Sequence, residues 1–120
     1  MTRTGILAAI DVGLHLLTTI FGEAWMSVYV IGRVSRNRDS SWVDEYVRKI
    51  GPLFEKYGGK VLCRSFAIEK LEGEGEPDVF TLIVEFPSAE SARAWYRDDE
   101  YSRLVRLRQA HSDGEIELLT

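Results

Sequence analysis

The sequence contains very few of the residues that build covalently linked or metal-bound cores. In 120 residues it has one cysteine, Cys63, and two histidines, His15 and His111. One cysteine cannot form an intramolecular disulfide, and no Cys/His spacing resembles a zinc or iron–sulfur site. The composition therefore predicts neither a disulfide framework nor a bound metal, and we expect the fold to depend on an apolar core.

An excess of positive charge is also missing. Fifteen Lys plus Arg stand against nineteen Asp plus Glu, which gives a net charge of −4 and a pI near 5.2. This acidic balance removes the usual electrostatic basis for binding a phosphate backbone. The arginines of the C-terminal half are interrupted by acids at residues 98–100, which is typical of a solvated helix surface. We expect no nucleic-acid partner.

No apolar run is long enough to cross a membrane. Residues 6–21 are mostly apolar, but Asp11 and His15 interrupt them, whereas a membrane-spanning helix needs about 20 predominantly apolar residues. A secretory signal is not indicated either, because one arginine precedes this run and no small-residue cleavage motif follows it. We therefore expect a cytoplasmic protein without a membrane partner.

Residues 1–25 form an N-terminal extension with a pattern of its own. Asp11, His15, Thr18 and Gly22 recur at helical spacing and form a narrow polar stripe on an otherwise apolar helix. Such a helix must bury its wide apolar face against its own domain or a partner. Met26 directly precedes the first strand, so the start of the functional chain is either Met1 or Met26.

Residues 26–120 are enough for one domain, and their periodicities alternate in a regular order. Strand patterns cover residues 28–34, 60–71, 79–86 and 115–119, and helical spacing covers 43–57, 88–97 and 98–108. Ser40 or Ser41 is the expected N-cap of the first helix and Ser88 that of the second, while glycines 58 and 59 end the first helix and Gly114 ends the last. The order β-α-β-β-α-β predicts an α+β, ferredoxin-like domain with a four-stranded antiparallel sheet.

Helices can cover only one face of such a sheet. The other face still carries apolar side chains, with Ile31, Val79 and Ile83 among the candidates. This surplus predicts a homodimer in which a second copy covers that face. Residues 1–25 could extend the dimer into a higher assembly.

Several short motifs occur together in a fixed order within this domain. They are Tyr57-Gly58-Gly59, Val84-Glu85-Phe86-Pro87-Ser88, Ala92-Arg93-Ala94-Trp95-Tyr96, Glu100-Tyr101 and Leu107-Arg108. With them the chain resembles, from Met26 to its C-terminus, the DUF1330 family of the dimeric α/β-barrel superfamily. The resemblance implies a ferredoxin-like protomer whose sheet pairs with a second copy to close a barrel. It implies no particular reaction, because the family has none assigned.

Arg64 and Glu85 are the candidate catalytic and ligand-binding charges, because both lie within predicted strands. A register that pairs them would form a polar pocket in which Arg64 binds an anion and Glu85 acts as a base. The alternative is a structural ion pair at the sheet surface or the dimer interface. A one-residue slip would place the two side chains on opposite faces, and the sequence does not fix the register.

Tyr96, Tyr101 and Arg108 are the second group of candidate ligand-binding residues. Tyrosine combines an apolar ring with a polar hydroxyl, which suits a small-molecule cleft between helix and sheet. The alternative is that these aromatic side chains, with Trp95, only pack the helix onto the sheet.

The sequence leaves two functions open. The first is a homodimer that binds a small anionic or aromatic molecule in a sheet–helix cleft, with any chemistry being acid–base work by Glu85 and Arg64. No cofactor is expected, since neither histidine lies where it could ligate a haem and the glycines at 73 and 75 precede no helix that could bind phosphate. The second is a dimerisation or assembly module without a substrate site.

Overall fold

Strands and helices alternate along residues 27–120, the part of the chain described by this computed structural model. The strands are β1 (Val28–Asn37), β2 (Lys60–Ser65), β3 (Phe80–Phe86) and β4 (Ser112–Leu119), and the helices are α1 (Val43–Lys56), α2 (Ala89–Arg97) and α3 (Asp99–His111). The predicted N-terminal helix and the alternative starts at Met1 and Met26 lie outside the described residues. None of the helices in residues 27–120 is both long and apolar enough to span a membrane.

The strands form one antiparallel sheet in the order β2-β3-β1-β4. This confirms the predicted α+β class and the four-stranded antiparallel sheet. Alternation along the central strands separates two faces, because successive side chains of a strand point to opposite sides. Val28, Val30 and Val34 of β1 are buried beneath the helices, whereas Tyr29 and Ile31 lie on the other side, which we call the outer face.

The core lies between the sheet and the helices and is rich in aromatic rings. Phe86 and Tyr101 are completely buried, and Trp95 packs against both, with ring centroids 5.5 and 4.3 Å away. Phe54 of α1 meets the same group, 5.2 Å from Trp95. The three helices are therefore joined to the sheet through a shared aromatic cluster.

The sequence predicted the C-terminal end of α1 correctly but not its N-terminal cap. Trp42 occupies the N-cap without a side-chain cap, so the predicted cap at Ser40 or Ser41 is wrong; Asp39 instead accepts hydrogen bonds from Ser41 in the preceding turn. At the C-terminal end the prediction is confirmed. Gly58 has a φ of 76°, and the N–H groups of residues 58 and 59 bond back to the carbonyls of Glu55 and Phe54.

Gly114 lies within β4 and does not end the last helix as the sequence pattern predicted. The helix α3 ends at His111, and the strand begins one residue later. A Cβ atom at position 114 would collide with the carbonyl oxygen of Arg33 on β1, next to a β-bulge between Val34 and Arg36. Glycine is required here because the two backbones approach too closely for a side chain.

The β2–β3 hairpin is shorter than the predicted one. The second strand ends at Ser65, where the serine hydroxyl accepts a hydrogen bond from the N–H of Ala67, and does not run on to residue 71. Residues 66–79 form an exposed acidic loop, and Phe66 packs on Phe80 at its base with ring centroids 4.6 Å apart. A second bulge, between Val61 and Cys63, shifts the register of the hairpin.

Candidate functional site

A cleft of about 240 Å³ opens between α2 and the half of the sheet formed by β1 and β4. Its sheet side is aliphatic and consists of Val30, Ile116 and Leu118. Its helix side is formed by Ala92, Arg93, Trp95, Tyr96 and Arg97. The cleft therefore combines an apolar floor with a rim of donors and positive charge.

Local sequence signals at both ends of α2 position the helix side of the cleft. Ser88 caps the N-terminus, as predicted, by accepting a hydrogen bond from the N–H of Ser91 at 3.1 Å. Asp98 follows the last residue of α2 and caps α3, so the chain turns directly from one helix into the next. Residues 92 and 96, and 93 and 97, then fall one turn apart along the same helix, which brings all four to the cleft.

Trp95 lines the cleft with its side chain almost entirely buried, at 2% exposure. Its indole N–H has no hydrogen-bond partner within residues 27–120. A buried donor without a partner costs about 1–3 kcal/mol, and such groups are rare in folded proteins. Trp95 thus places an unpaired donor in the core layer next to the cleft.

Two tyrosine hydroxyls meet in the layer next to Trp95. The hydroxyl oxygens of Tyr46 and Tyr101 are 2.8 Å apart in the buried core, and Tyr101 also contacts Tyr96 with ring centroids 5.9 Å apart. Burial raises the pKa of both Tyr46 and Tyr101. Both hydroxyls therefore keep their protons at neutral pH and act as hydrogen-bonding groups, not as bases.

Arg108 is buried beside this tyrosine pair. Arg108 is only 6% exposed, and its guanidinium carbon lies 6.0 Å from the centroid of the Tyr46 ring. Within residues 27–120 its Nε has no hydrogen-bond partner. The ring faces of Tyr46 and the guanidinium thus form a cation–π contact that links α1 to α3.

Asp98 fixes the junction that carries Tyr101. One carboxylate oxygen accepts from the N–H groups of Glu100 and Tyr101, and the other accepts from the Tyr57 hydroxyl at 2.6 Å and from Lys56 Nζ at 3.0 Å. These hydrogen bonds, that of Tyr57 first, hold the pKa of Asp98 at about 2. The charged carboxylate joins the end of α1 to the start of α3.

Arg64 and Glu85 are not brought together in the protomer. Glu85 pairs with Lys60 and Tyr29 on the outer face, whereas Arg64 pairs with Leu82 and shares the helix-covered face with it. The structure thus corresponds to the register that separates the two charges, so the polar pocket expected between them does not form in one protomer. The bulge after Val61 is the cause, because an unbroken ladder would place Arg64 opposite Thr81 on the side of Glu85.

The structure brings the second group of candidate ligand-binding residues, the two tyrosines and Arg108, close together. Tyr96 lines the cleft, Tyr101 contacts Tyr96, and Arg108 lies one layer further in, against Tyr46. Sequence reasoning did not select Arg93 and Arg97, which it treated as part of a solvated helix surface. The signal that could have found them is their i, i+4 spacing around Tyr96.

His111 lies at the end of α3, as expected, and does not line the cleft. Its Nδ1 is 2.7 Å from the carboxylate of Asp39, and hydrogen bonds from Ser41 and from His111 hold the pKa of Asp39 at about 2. The described residues contain no group of three His, Cys, Asp or Glu side chains that could hold a metal ion.

The family model for a domain of unknown function, DUF1330, matches residues 27–120. The chain belongs to the DUF1330 family. The match confirms the resemblance found in the sequence motifs, and it covers all of the residues that form the sheet, the helices and the cleft of this DUF1330 domain. No curated protein is significantly similar to the chain.

Solved structures share the fold of this DUF1330 protein. A protein of unknown function from Rhodopseudomonas palustris is 26% identical, with a TM-score of 0.67 over 78% of this chain and 80% of that one. SnoaB, a cofactor-independent oxygenase from Streptomyces nogalater, is 13% identical, with a TM-score of 0.57 over 78% and 91% of the two chains. At that identity the likeness to SnoaB shows a common fold and nothing about the reaction.

Proposed function

We propose that this DUF1330 protein binds a small molecule with a flat apolar body in the cleft beneath α2. The observation that carries the proposal is a cleft with an aliphatic floor that is lined by Trp95, whose indole N–H has no hydrogen-bond partner within residues 27–120. Binding sites for drug-sized ligands measure about 300–1,000 Å³, and the cleft measures about 240 Å³. A ligand of one or two rings fits this size.

The side chains that line the cleft are suited to binding, not to proton abstraction. Trp95, Tyr96, Arg93 and Arg97 offer hydrogen-bond donors, and no carboxylate or imidazole is among the lining residues. Glu85, which the sequence suggested as a base, lies on the outer face of the sheet. Ligand binding is therefore the activity that we assign to the cleft.

We also propose that a second copy of the chain covers the outer face of the sheet. Ile31 and Ile83 lie opposite each other at the centre of this face. Arg33, two residues along β1 from Ile31, forms an ion pair with Glu117 on the edge strand β4, so its charge already has a counter-charge. Apolar side chains beside paired charges are compatible with a protein–protein interface. The same face favours the second candidate function, a dimerisation module without a substrate site.

Isothermal titration calorimetry with 2-naphthamide tests the binding proposal. This neutral two-ring probe carries a carbonyl acceptor for the indole N–H. Replacing Trp95 by phenylalanine removes that donor together with one ring of the indole, and the loss of one hydrogen bond corresponds to a loss of affinity of roughly 2- to 12-fold. We expect saturable binding by the natural chain and weaker binding by Trp95→Phe.

Trp42→Phe is the matched control. The Trp42 indole N–H already donates to Asn37 Oδ1 at 3.0 Å, away from the cleft, so this variant should lose stability but keep its affinity. Absence of saturable binding by the natural chain, or equal losses of affinity in both variants, would contradict a ligand site beneath α2 and favour the dimerisation module.

A further inference from the structure

Arg93 and Arg97 are the two charged side chains of the cleft. They stand one turn apart on α2, both line the cleft, and both are exposed at its rim. Neither forms an ion pair with an acid in residues 27–120, and no acidic side chain shares the lining with them. The rim is therefore a concentration of positive charge without an internal counter-charge.

This arrangement is unfavourable for the helix itself. Like charges at i, i+4 spacing repel each other and destabilise a helix. Arg97 is the last residue of α2 and interacts favourably with the negative end of the helix dipole, but Arg93 lies before the last turn and gains little from it. The helix dipole thus stabilises only one of the two arginines, and an anion bound between them would offset their repulsion.

We infer that the ligand of the cleft is a small organic carboxylate, held at its charged end by Arg93 and Arg97; this inference rests on the proposed function. The planar fork of a guanidinium matches the two oxygens of a carboxylate. Val30, Ile116 and Leu118 on the sheet side would contact an apolar body and give an inorganic anion nothing to bind. The ligand class is therefore an aromatic or compact aliphatic monocarboxylate.

The test compares 2-naphthoate with 2-naphthamide, which have the same rings and differ in charge. Calorimetry on the full chain should show that the carboxylate binds at least tenfold more tightly, with an affinity that falls as salt is added, because charge-assisted hydrogen bonds are stronger and are screened by ions. Replacing Arg93, Arg97 or both by glutamine should weaken the binding of naphthoate by about tenfold for each arginine and weaken the binding of the amide much less, because a neutral carbonyl accepts weaker hydrogen bonds than a carboxylate.

Arg103→Gln is the control, because Arg103 is an exposed arginine on α3 that does not line the cleft. It should leave both affinities unchanged, and thermal melts check that every variant is folded. If the amide binds as tightly as the carboxylate and the arginine variants change neither, the cleft is a binding site but the carboxylate assignment is wrong. If phosphate alone binds as tightly as naphthoate, the assignment is equally overturned. If no probe binds, the proposed function itself fails.

Discussion

The hydroxyl groups of Tyr46 and Tyr101 satisfy each other inside the aromatic core, 2.8 Å apart. Replacing Tyr101 by phenylalanine removes one hydroxyl and leaves the other buried beside Arg108. A buried polar group left without its partner costs about 1–3 kcal/mol, so we expect the free energy of unfolding in urea to fall by about 1–2 kcal/mol.

The double variant Tyr46→Phe/Tyr101→Phe should lose less than the sum of the two single variants, because the second substitution removes the group that the first left unpaired. Strict additivity of the two core substitutions would show that the pair does not act as one unit.

At the scale of residues, the sequence selected Tyr96, which lines the cleft, and Tyr101, which contacts it, but it could not place Arg64 relative to Glu85. The two tyrosines could be selected because tyrosine combines an apolar ring with a polar hydroxyl, which suits a small-molecule cleft between a helix and a sheet. Arg64 could not be placed, because a single extra residue after Val61 moves every later side chain of β2 to the other face. Nothing in the residues 60–65 identifies that bulge.

At the scale of elements, Asp98 stabilises the helix pair α2–α3 by capping α3 and by joining it to the end of α1. Its side chain is only 8% exposed. Losing an N-cap costs about 0.5–2 kcal/mol, so Asp98→Ala should lower the free energy of unfolding by about 1–2 kcal/mol. Asp99→Ala, which removes the neighbouring exposed acid, should change stability by less than about 0.5 kcal/mol. Equal effects of the two variants would show that charge alone, and not the cap, matters at this junction.

The same carboxylate gives this junction a defined pH dependence. The pKa of Asp98 is held at about 2 in the folded protein, compared with 3.8 for an ordinary aspartate. Because the folded pKa is depressed, the contribution to stability is complete above about pH 4 and is lost as the pH falls toward 2. Asp98→Asn keeps a capping side chain but cannot titrate, so its stability should fall less steeply over this interval than that of the natural chain.

Helix ends were predictable where one residue decides the backbone geometry. Gly58 and Ser88 could be identified because a left-handed residue and an N-cap hydroxyl have strong local preferences. The start of α1 was mispredicted because the Ser41 hydroxyl donates to Asp39 in the preceding turn, and the N-cap position falls on Trp42, which has no capping side chain. The end of β2 was mispredicted because residues 66–71 remain apolar enough to continue a strand that lacks a partner there.

At the scale of the whole molecule, we expect the proposed dimer to be disrupted by one charged substitution on the outer face. Ile83 lies on the central strand β3, opposite both Ile31 and Cys63. Light scattering after gel filtration should give about twice 13.7 kDa for the natural chain and about 13.7 kDa for Ile83→Lys, because a lysine at the centre of an interface must be desolvated without a partner.

Val47→Lys provides the control for this experiment. Val47 is an exposed apolar residue on α1, in the helix layer on the other side of the sheet. This variant should keep the mass of the natural chain. A natural chain that runs with the mass of one copy at micromolar concentration would contradict the dimer.

The order of elements and the family could be derived from the sequence, because strand and helix periods and several spaced motifs are local features. The cleft could not be derived in the same way. Its walls come from β1, α2 and β4, which are separated by most of the domain, and its existence depends on how far α2 stands from the sheet. That distance is set by packing among side chains from all three elements.

The position of Cys63 couples chemical labelling of this protein to its assembly. The residue is exposed and shares the outer face with Ile83. Maleimide reagents would therefore attach at one sulfhydryl per chain, without any engineering, at the surface where two copies are proposed to meet. A bulky dye there would compete with the second subunit, whereas alkylation kinetics measured at increasing protein concentration would report how much of that surface is still accessible.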